Sequence, residues 1–156
     1  MLKPTLSQLL HICTHMEADQ VREHAALMWG DFDPEVLAWE LYRTDGIAHV
    51  FTKNGRAYMA AGFRFPWQGV VQSWAVSTSE REGHDLEITR TSRKVMLGLM
   101  ASGTRRIQTL CMEDRHAAQA WYRTLGLVKE ATLTGYGRNG ENFCLYTRHG
   151  ESADVR

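Results

Sequence analysis

An apolar run from Val70 to Val76 closes at Ser77-Thr78-Ser79, and a helical pattern begins at Asp85. Between them lie Arg81, Gly83 and His84, with Arg90 and Arg93 further along the helix. A helix that follows a strand presents unpaired N–H groups at its start, and these suit an anionic ligand. In open sheets of this kind the ligand sits outside the carboxyl end of the strand. The arginines could add positive charge. Glu82, Asp85 and Glu87 work the other way. Carboxylates are favourable at a helix start for their own sake, and they would compete with an anion for the same N–H groups.

Other constellations carry less. His11 and His15 have ligand spacing on a helix, but no Glu sits in an H-E-x-x-H arrangement and no third ligand is near in sequence, so no metal is expected. Gly135-Tyr136-Gly137-Arg138-Asn139-Gly140 has no helix after it and reads as a hairpin turn rather than a phosphate loop. Cys13, Cys111 and Cys144 are odd in number and far apart, which indicates buried, reduced thiols. No nucleophile elbow or P-loop lysine motif is present. Eighteen basic residues balance eighteen acidic ones, which argues against direct nucleic-acid binding, since that needs a positive excess to displace counterions. No window approaches the ~18 apolar residues of a membrane span. Met1-Leu2-Lys3-Pro4 is not followed by a long apolar run, so no leader is expected.

The elements that must position these residues can be read in order. Leu2 to Thr5 could form a short edge strand, and Thr5 or Ser7 can cap a helix with Leu6, Leu9, Leu10 and Cys13 on its packed side. Met16 to Trp29 continues in a helical register, with Val21, Ala25, Met28 and Trp29 packed and Glu17, Asp19, Arg22 and Glu23 wet. Asp33-Pro34 starts a further helix that stops at Asp45-Gly46. Ile47 to Phe51 and Arg56 to Phe65 are strands joined through Asn54-Gly55, a hairpin signal. Val70 to Val76, the helix from Asp85 to Met100 and the strand Arg105 to Cys111 make a strand–helix–strand unit, hence a parallel pair. His116 to Leu125 is a last helix, stopped at Gly126; Val128 to Tyr136 and Asn142 to Arg148 form a closing hairpin. The expected fold is one α+β domain over residues 1–149, with a loose tail at 150–156. Its mixed sheet has about six or seven strands, mostly antiparallel around one parallel pair, with about four flanking helices.

Trp74-Ala75-Val76, a loop, a long helix, a strand and then Ala118-Gln119-Ala120-Trp121-Tyr122-Arg123-Thr124-Leu125-Gly126-Leu127 resemble the core of the GNAT acyltransferase superfamily. There the last segment commonly reads N-x-x-A-x-x-x-Y-x-x-L-G-F. Ala118, Tyr122, Leu125 and Gly126 match; Arg115 stands in place of the Asn and Leu127 in place of the Phe. The chain is closest in pattern to a GNAT-like family of tailed bacteriophages that includes a small internal core protein of T7-like virions. Trp74 before a Ser/Thr pair, Trp121-Tyr122 with Leu125-Gly126, and Gly140-Glu141-Asn142-Phe143 carry that likeness, over roughly residues 16 to 148.

The resemblance implies an acetyl-CoA-dependent N-acetyltransferase, with Tyr122 as the acid for the leaving thiolate. Backbone around Trp74, Ala75, Val76 and Ser77 would hold the thioester arm, with an N–H in Ala75 to Ser77 as oxyanion donor. The family's pyrophosphate loop, Q/R-x-x-G-x-G/A, is not matched by Ser79 to Glu87, which has the single glycine Gly83. Either Arg81, Gly83 and His84 form a remodelled loop, or acetyl-CoA binding has been lost. A base is not assigned; His84, Glu40 and His116 are candidates. Trp29, Trp39 and Tyr42 could line an acceptor pocket, though core packing is expected of them. The alternative to an enzyme is a non-catalytic scaffold, an internal virion component or a host-protein-binding factor. The resemblance places the protein in the host cytoplasm during infection, or packaged in the virion.

Overall fold

Asn54 and Gly55 both occupy the left-handed region, at φ 50° and 79°, as a two-residue hairpin of the tight primed type requires. They join β1 (Gly46–Lys53) to β2 (Arg56–Trp67). A computed structural model describes residues 1–150 of the chain. Three helices come first: α1 (Leu6–Thr14), α2 (Ala18–Ala25) and α3 (Pro34–Arg43). After the hairpin follow β3 (Val70–Ser77), a short turn of tight helix at Ser79–Arg81, α4 (Asp85–Ala101), β4 (Arg106–Met112), α5 (His116–Thr124), β5 (Val128–Leu133) and β6 (Phe143–His149). The strand order is β1-β2-β3-β4-β6-β5, antiparallel throughout except for the β3–β4 pair. The α+β expectation and the parallel pair are both met, with six strands and five helices among the described residues.

Local signals set several boundaries. Thr5 and Gln8 form a reciprocal capping box at the start of α1. The Asp33 carboxylate accepts from the N–H groups of Glu35 and Val36, with Pro34 in the first turn of α3. The segment at Leu2 is not a strand, but its carbonyl accepts from the Val50 N–H at 2.9 Å and so extends the β1 edge.

Helices cover both faces of the sheet. Leu9 and Ile12 of α1 and Leu37, Ala38 and Leu41 of α3 pack with Val50, Ala60, Trp74 and Val76. Met96 of α4 and Leu125 beside α5 pack with Phe63, Val71, Ile107, Cys111 and Tyr146. All three thiols are buried, and burial pushes Cys13 and Cys111 up to about 12.

Three expectations change. The helix expected to run to Trp29 ends at Ala25. The buried Ala26 gives its carbonyl to the Arg138 N–H at 2.8 Å instead of to the next helical turn. Trp29 is therefore carried into solvent, fully exposed. Trp39 and Tyr42 are also exposed rather than core, because α3 buries the Leu37–Ala38–Leu41 stripe. Finally, β5 stops at Leu133, with Gly135 turning at φ 66°. The tail expected to be loose lies, apart from Gly150, outside the described residues.

Candidate active site

The parallel pair is short. β3 and β4 are in register only over Val70–Gln72 and Arg106–Gln108, and beyond these residues the strands part. Their outer halves, Ser73 to Ser77 and Thr109 to Met112, face each other across a wedge. Along a strand, N–H and C=O groups alternate sides. The Gly69 carbonyl accepts from Arg106 N–H, which fixes the odd-numbered residues of this segment as those facing β4. Ser73, Ala75 and Ser77 thus direct their backbone groups into the wedge, while Trp74 and Val76 direct theirs to β2.

Helix α2 lies across the open end and holds both strands. On β3, Ser77 N–H donates to Gln20 Oε1 at 2.8 Å, and Glu17 N–H donates to the Ser77 carbonyl at 3.1 Å. Gln20 Nε2 donates to Ser77 Oγ at 2.7 Å, and Ser77 Oγ donates to Glu17 Oε2 at 3.1 Å. His24 Nε2 lies 3.4 Å from the Ala75 carbonyl. On β4, Met112 N–H donates to Glu23 Oε2 at 2.7 Å, and Arg115 donates to Glu23 Oε1 at 2.7 Å. The Ser77 N–H is thereby taken by a side chain. Ala75 N–H also points into the wedge, next to the cleft that Ala75 lines.

A cleft of about 1530 Å³ runs through this region. Its lining joins β3 (Ser73, Ala75, Ser77) to α5 (Ala118, Trp121, Tyr122) and to the α2–α3 side (His24, Glu40). That volume exceeds the ~300–1,000 Å³ of a typical small-molecule site and leaves room for two reactants. Tyr122 is half-buried, with its ring 5.6 Å from that of Tyr146. It lines both the cleft and a second, apolar cavity of about 70 Å³ against α4. Packing and site exposure are thus combined in one residue. Burial raises its pKa, the Glu23 carboxylate adds to the effect, and nearby Thr109 and Arg115 oppose it. The phenol stays protonated and can serve as a proton donor.

At the start of α4, Gly83 turns at φ 82°, and open space surrounds the position its Cβ would take. No side chain caps this helix. The carboxylates turn sideways: Arg81 Nη1 pairs with Asp85 at 2.6 Å, and Tyr58 Oη donates to Glu87 at 3.2 Å. The His84 ring stacks on Tyr58 at 4.7 Å, and its Nδ1 lies 3.7 Å from Glu87. Neither Asp85 nor Glu87 therefore closes the first-turn N–H groups, and Arg81 and Asp85 border the cleft. Arg81 also lies 3.8 Å from Glu17, so the loop is tied to α2.

The fold, a mixed sheet with one parallel pair joined by a long crossover helix, matches a large set of solved structures. The ribosomal-protein-S18-alanine N-acetyltransferase of Escherichia coli superposes with a TM-score of 0.72 at 15% identity, covering 99% of this chain and 94% of that one. The ribosomal-protein-alanine N-acetyltransferase of Brucella melitensis gives 0.71 at 12% identity, covering 95% and 98%. A Salmonella typhimurium protein of acetyltransferase type, solved with its cofactor acetyl-CoA, gives 0.64 at 16% identity, covering 97% and 94%. The fold is that of the GNAT acetyltransferases. No protein-family model and no curated protein sequence matches the chain.

Within this GNAT fold the residues singled out from sequence divide. Ala75, Ser77, Arg81 and Tyr122 meet at the cleft. Gly83 and His84 lie at the α4 start beside it. Trp74 is largely buried in the α1–α3 core and only edges the cleft, and Val76 is wholly buried there. Of the candidate bases, Glu40 lies on the cleft wall, His84 is stacked on Tyr58, and His116 is exposed at the first turn of α5. His11 and His15 contact each other, with His15 Nδ1 2.8 Å from the His11 carbonyl. Among the described residues no group of three His, Cys, Asp or Glu could hold a metal, and no helix is long and apolar enough to cross a membrane.

Sequence reasoning missed Gln20, Glu23, His24 and Arg115. Glu17 and Glu23, assigned to a wet face, are instead turned inward to the wedge. One signal was available: Glu17, Gln20 and His24 lie three and four apart, on a single stripe of α2.

Proposed function

We propose that this protein is an N-acetyltransferase that moves an acyl group from a CoA thioester to an amine. The observation that carries this reading is the wedge itself: Ala75 N–H opens into the same cleft that Tyr122 lines. The residues present fit the donor. The thioester oxygen would lie on Ala75 N–H, and the pyrophosphate on the uncapped first-turn N–H groups of α4, with Gly83 giving backbone clearance and Arg81, paired with Asp85, at the border of that position. When bound there, the CoA thioester supplies the activated acyl carbon.

The chain's own residues then supply the remaining steps. Ala75 N–H stabilises negative charge as it develops on the carbonyl oxygen. Tyr122 holds a proton on Oη for the leaving sulfur, and its raised pKa keeps that proton in place up to alkaline pH. Residues of α2 and α3 line the wide side of the cleft, which is left to the amine. The resemblance to tailed-phage GNAT-like proteins supports a phage-encoded protein acting in the infected host's cytoplasm on a host or phage amine.

The test is release of free CoA from acetyl-CoA, followed across a panel of amines and peptide N-termini. Acceptor-dependent release that falls about 100-fold in Tyr122→Phe supports the reading. Release that is equal with and without every acceptor contradicts it.

A second reading is favoured by the exposed apolar groups beside the cleft. Leu27, Trp29 and Tyr136 all face solvent and border the same opening. Such a patch suits a protein partner, as a virion component or host-binding factor would need. A failure to bind acetyl-CoA, together with loss of partner capture in Trp29→Ala, would favour it.

A further inference from the structure

We propose that His24 is the general base that deprotonates the attacking amine; this rests on the acetyltransferase reading. The geometry begins at Ala75. Its N–H and C=O leave β3 on the same side, into the wedge. His24 Nε2 is 3.4 Å from that carbonyl. A thioester oxygen on Ala75 N–H therefore places its carbonyl carbon beside the His24 imidazole. The ring comes from α2, on the side where α3 forms the far wall of the cleft, and Tyr122 comes from α5. Base and acid flank the reacting carbon from different sides, as transfer from sulfur to nitrogen requires.

Nε2 is the ring nitrogen that faces the wedge. In the neutral ring the Nδ1–H tautomer leaves the Nε2 lone pair there for the proton of the amine. The same carbonyl then stabilises the imidazolium that forms. Burial holds the ring neutral by lowering its pKa; Glu23 and the Ala75 carbonyl pull it up, and Arg115 and Arg64 push it down. Glu23 from α2, Arg115 from the start of α5 and Arg64 from β2 are the charged groups that act on it. Glu23 is committed, with one oxygen on Arg115 and the other on Met112 N–H. His24 is the one histidine on the cleft wall among the described residues.

The step balances. The amine nitrogen forms the new C–N bond and its proton passes to His24 Nε2, the ring nitrogen beside the Ala75 carbonyl. The C–S bond breaks, and the sulfur takes the proton of Tyr122 Oη. Solvent returns a proton to Tyr122 and removes one from His24.

The test uses the full chain, with His24→Gln and His24→Asn. Gln and Asn keep an amide N–H for the Ala75 carbonyl but cannot take up a proton. In ligand-free wild type, nitrogen-15 NMR of the imidazole should show a neutral ring that titrates below the ordinary histidine value of about 6.5. In both variants acetyl-CoA affinity should stay within about twofold, while turnover falls by about 100-fold or more and the acid limb of the pH–rate profile disappears. Added imidazole should restore part of the rate. Variants that keep the acid limb and lose less than about threefold overturn the base assignment alone. So does a ring found protonated at neutral pH. A wild type that does not bind acetyl-CoA overturns the acetyltransferase reading and the assignment with it.

Discussion

Glu23 and Arg115 meet at 2.7 Å across the mouth of the wedge, one on α2 and the other at the start of α5, with side chains only 12% and 16% exposed. The second Glu23 oxygen holds Met112 N–H. This contact ties the helix bridging the splayed strands to the end of β4. Removing one partner of a buried pair leaves the other charge without compensation, which typically costs ~3–5 kcal/mol. Glu23→Ala should therefore lower the unfolding free energy by about 3 kcal/mol in urea denaturation. A loss under about 1 kcal/mol would mean that α2 is not fastened there.

Tyr122→Phe keeps the ring in its packing against Tyr146 and removes only the hydroxyl. Acetyl-CoA affinity and thermal stability should remain near wild type, while kcat falls by about 100-fold. Because the wild-type phenol is raised by burial, the pH–rate profile should show no alkaline limb near the ordinary tyrosine value of about 10. A limb at that value would assign the proton donor elsewhere.

Gly83 turns at φ 82°, where an L side chain is strained by roughly 1–2 kcal/mol. Open space at its Cβ position means that no clash adds to this. Gly83→Ala should weaken acetyl-CoA binding several-fold in calorimetry with little loss of overall fold. Unchanged affinity would remove this turn from the donor site.

Far from the cleft, Glu130 pins β5. Its carboxylate is bound by Arg106 and then by the Thr147 hydroxyl, and its pKa is depressed to about 2. A depressed carboxylate adds stability that is full above its unfolded value of about 4.3 and is lost as pH falls toward about 2. The group is largely exposed, so the effect is modest. Melting temperature measured across this window should fall less in Glu130→Gln than in wild type. Parallel curves would place the acid sensitivity in other carboxylates.

What could be read from the residues follows from range. Asn54-Gly55, Asp33-Pro34 and the helix cap expected at Thr5 or Ser7 act within four residues of themselves; the first two formed as indicated, and the cap fell to Thr5. The strand–helix–strand core was legible because its apolar periodicity is local too. The Glu23–Arg115 pair was not, since its partners are 92 positions apart and each looks like an ordinary surface charge. His24 was hidden for the same reason: its partner is the Ala75 carbonyl, and backbone carbonyls are invisible in a residue pattern. Trp29 shows the converse failure. Its size suggested core, but the carbonyl of Ala26 finds Arg138 instead of a further helical turn.

The central claim is that the Ala75–Tyr122 cleft and the open start of α4 receive a CoA thioester. Calorimetric titration of the full chain with acetyl-CoA tests it most directly. Micromolar, one-to-one binding that weakens in Gly83→Ala and persists in Tyr122→Phe is the expected result. No heat and no thermal shift at millimolar acetyl-CoA would contradict the account.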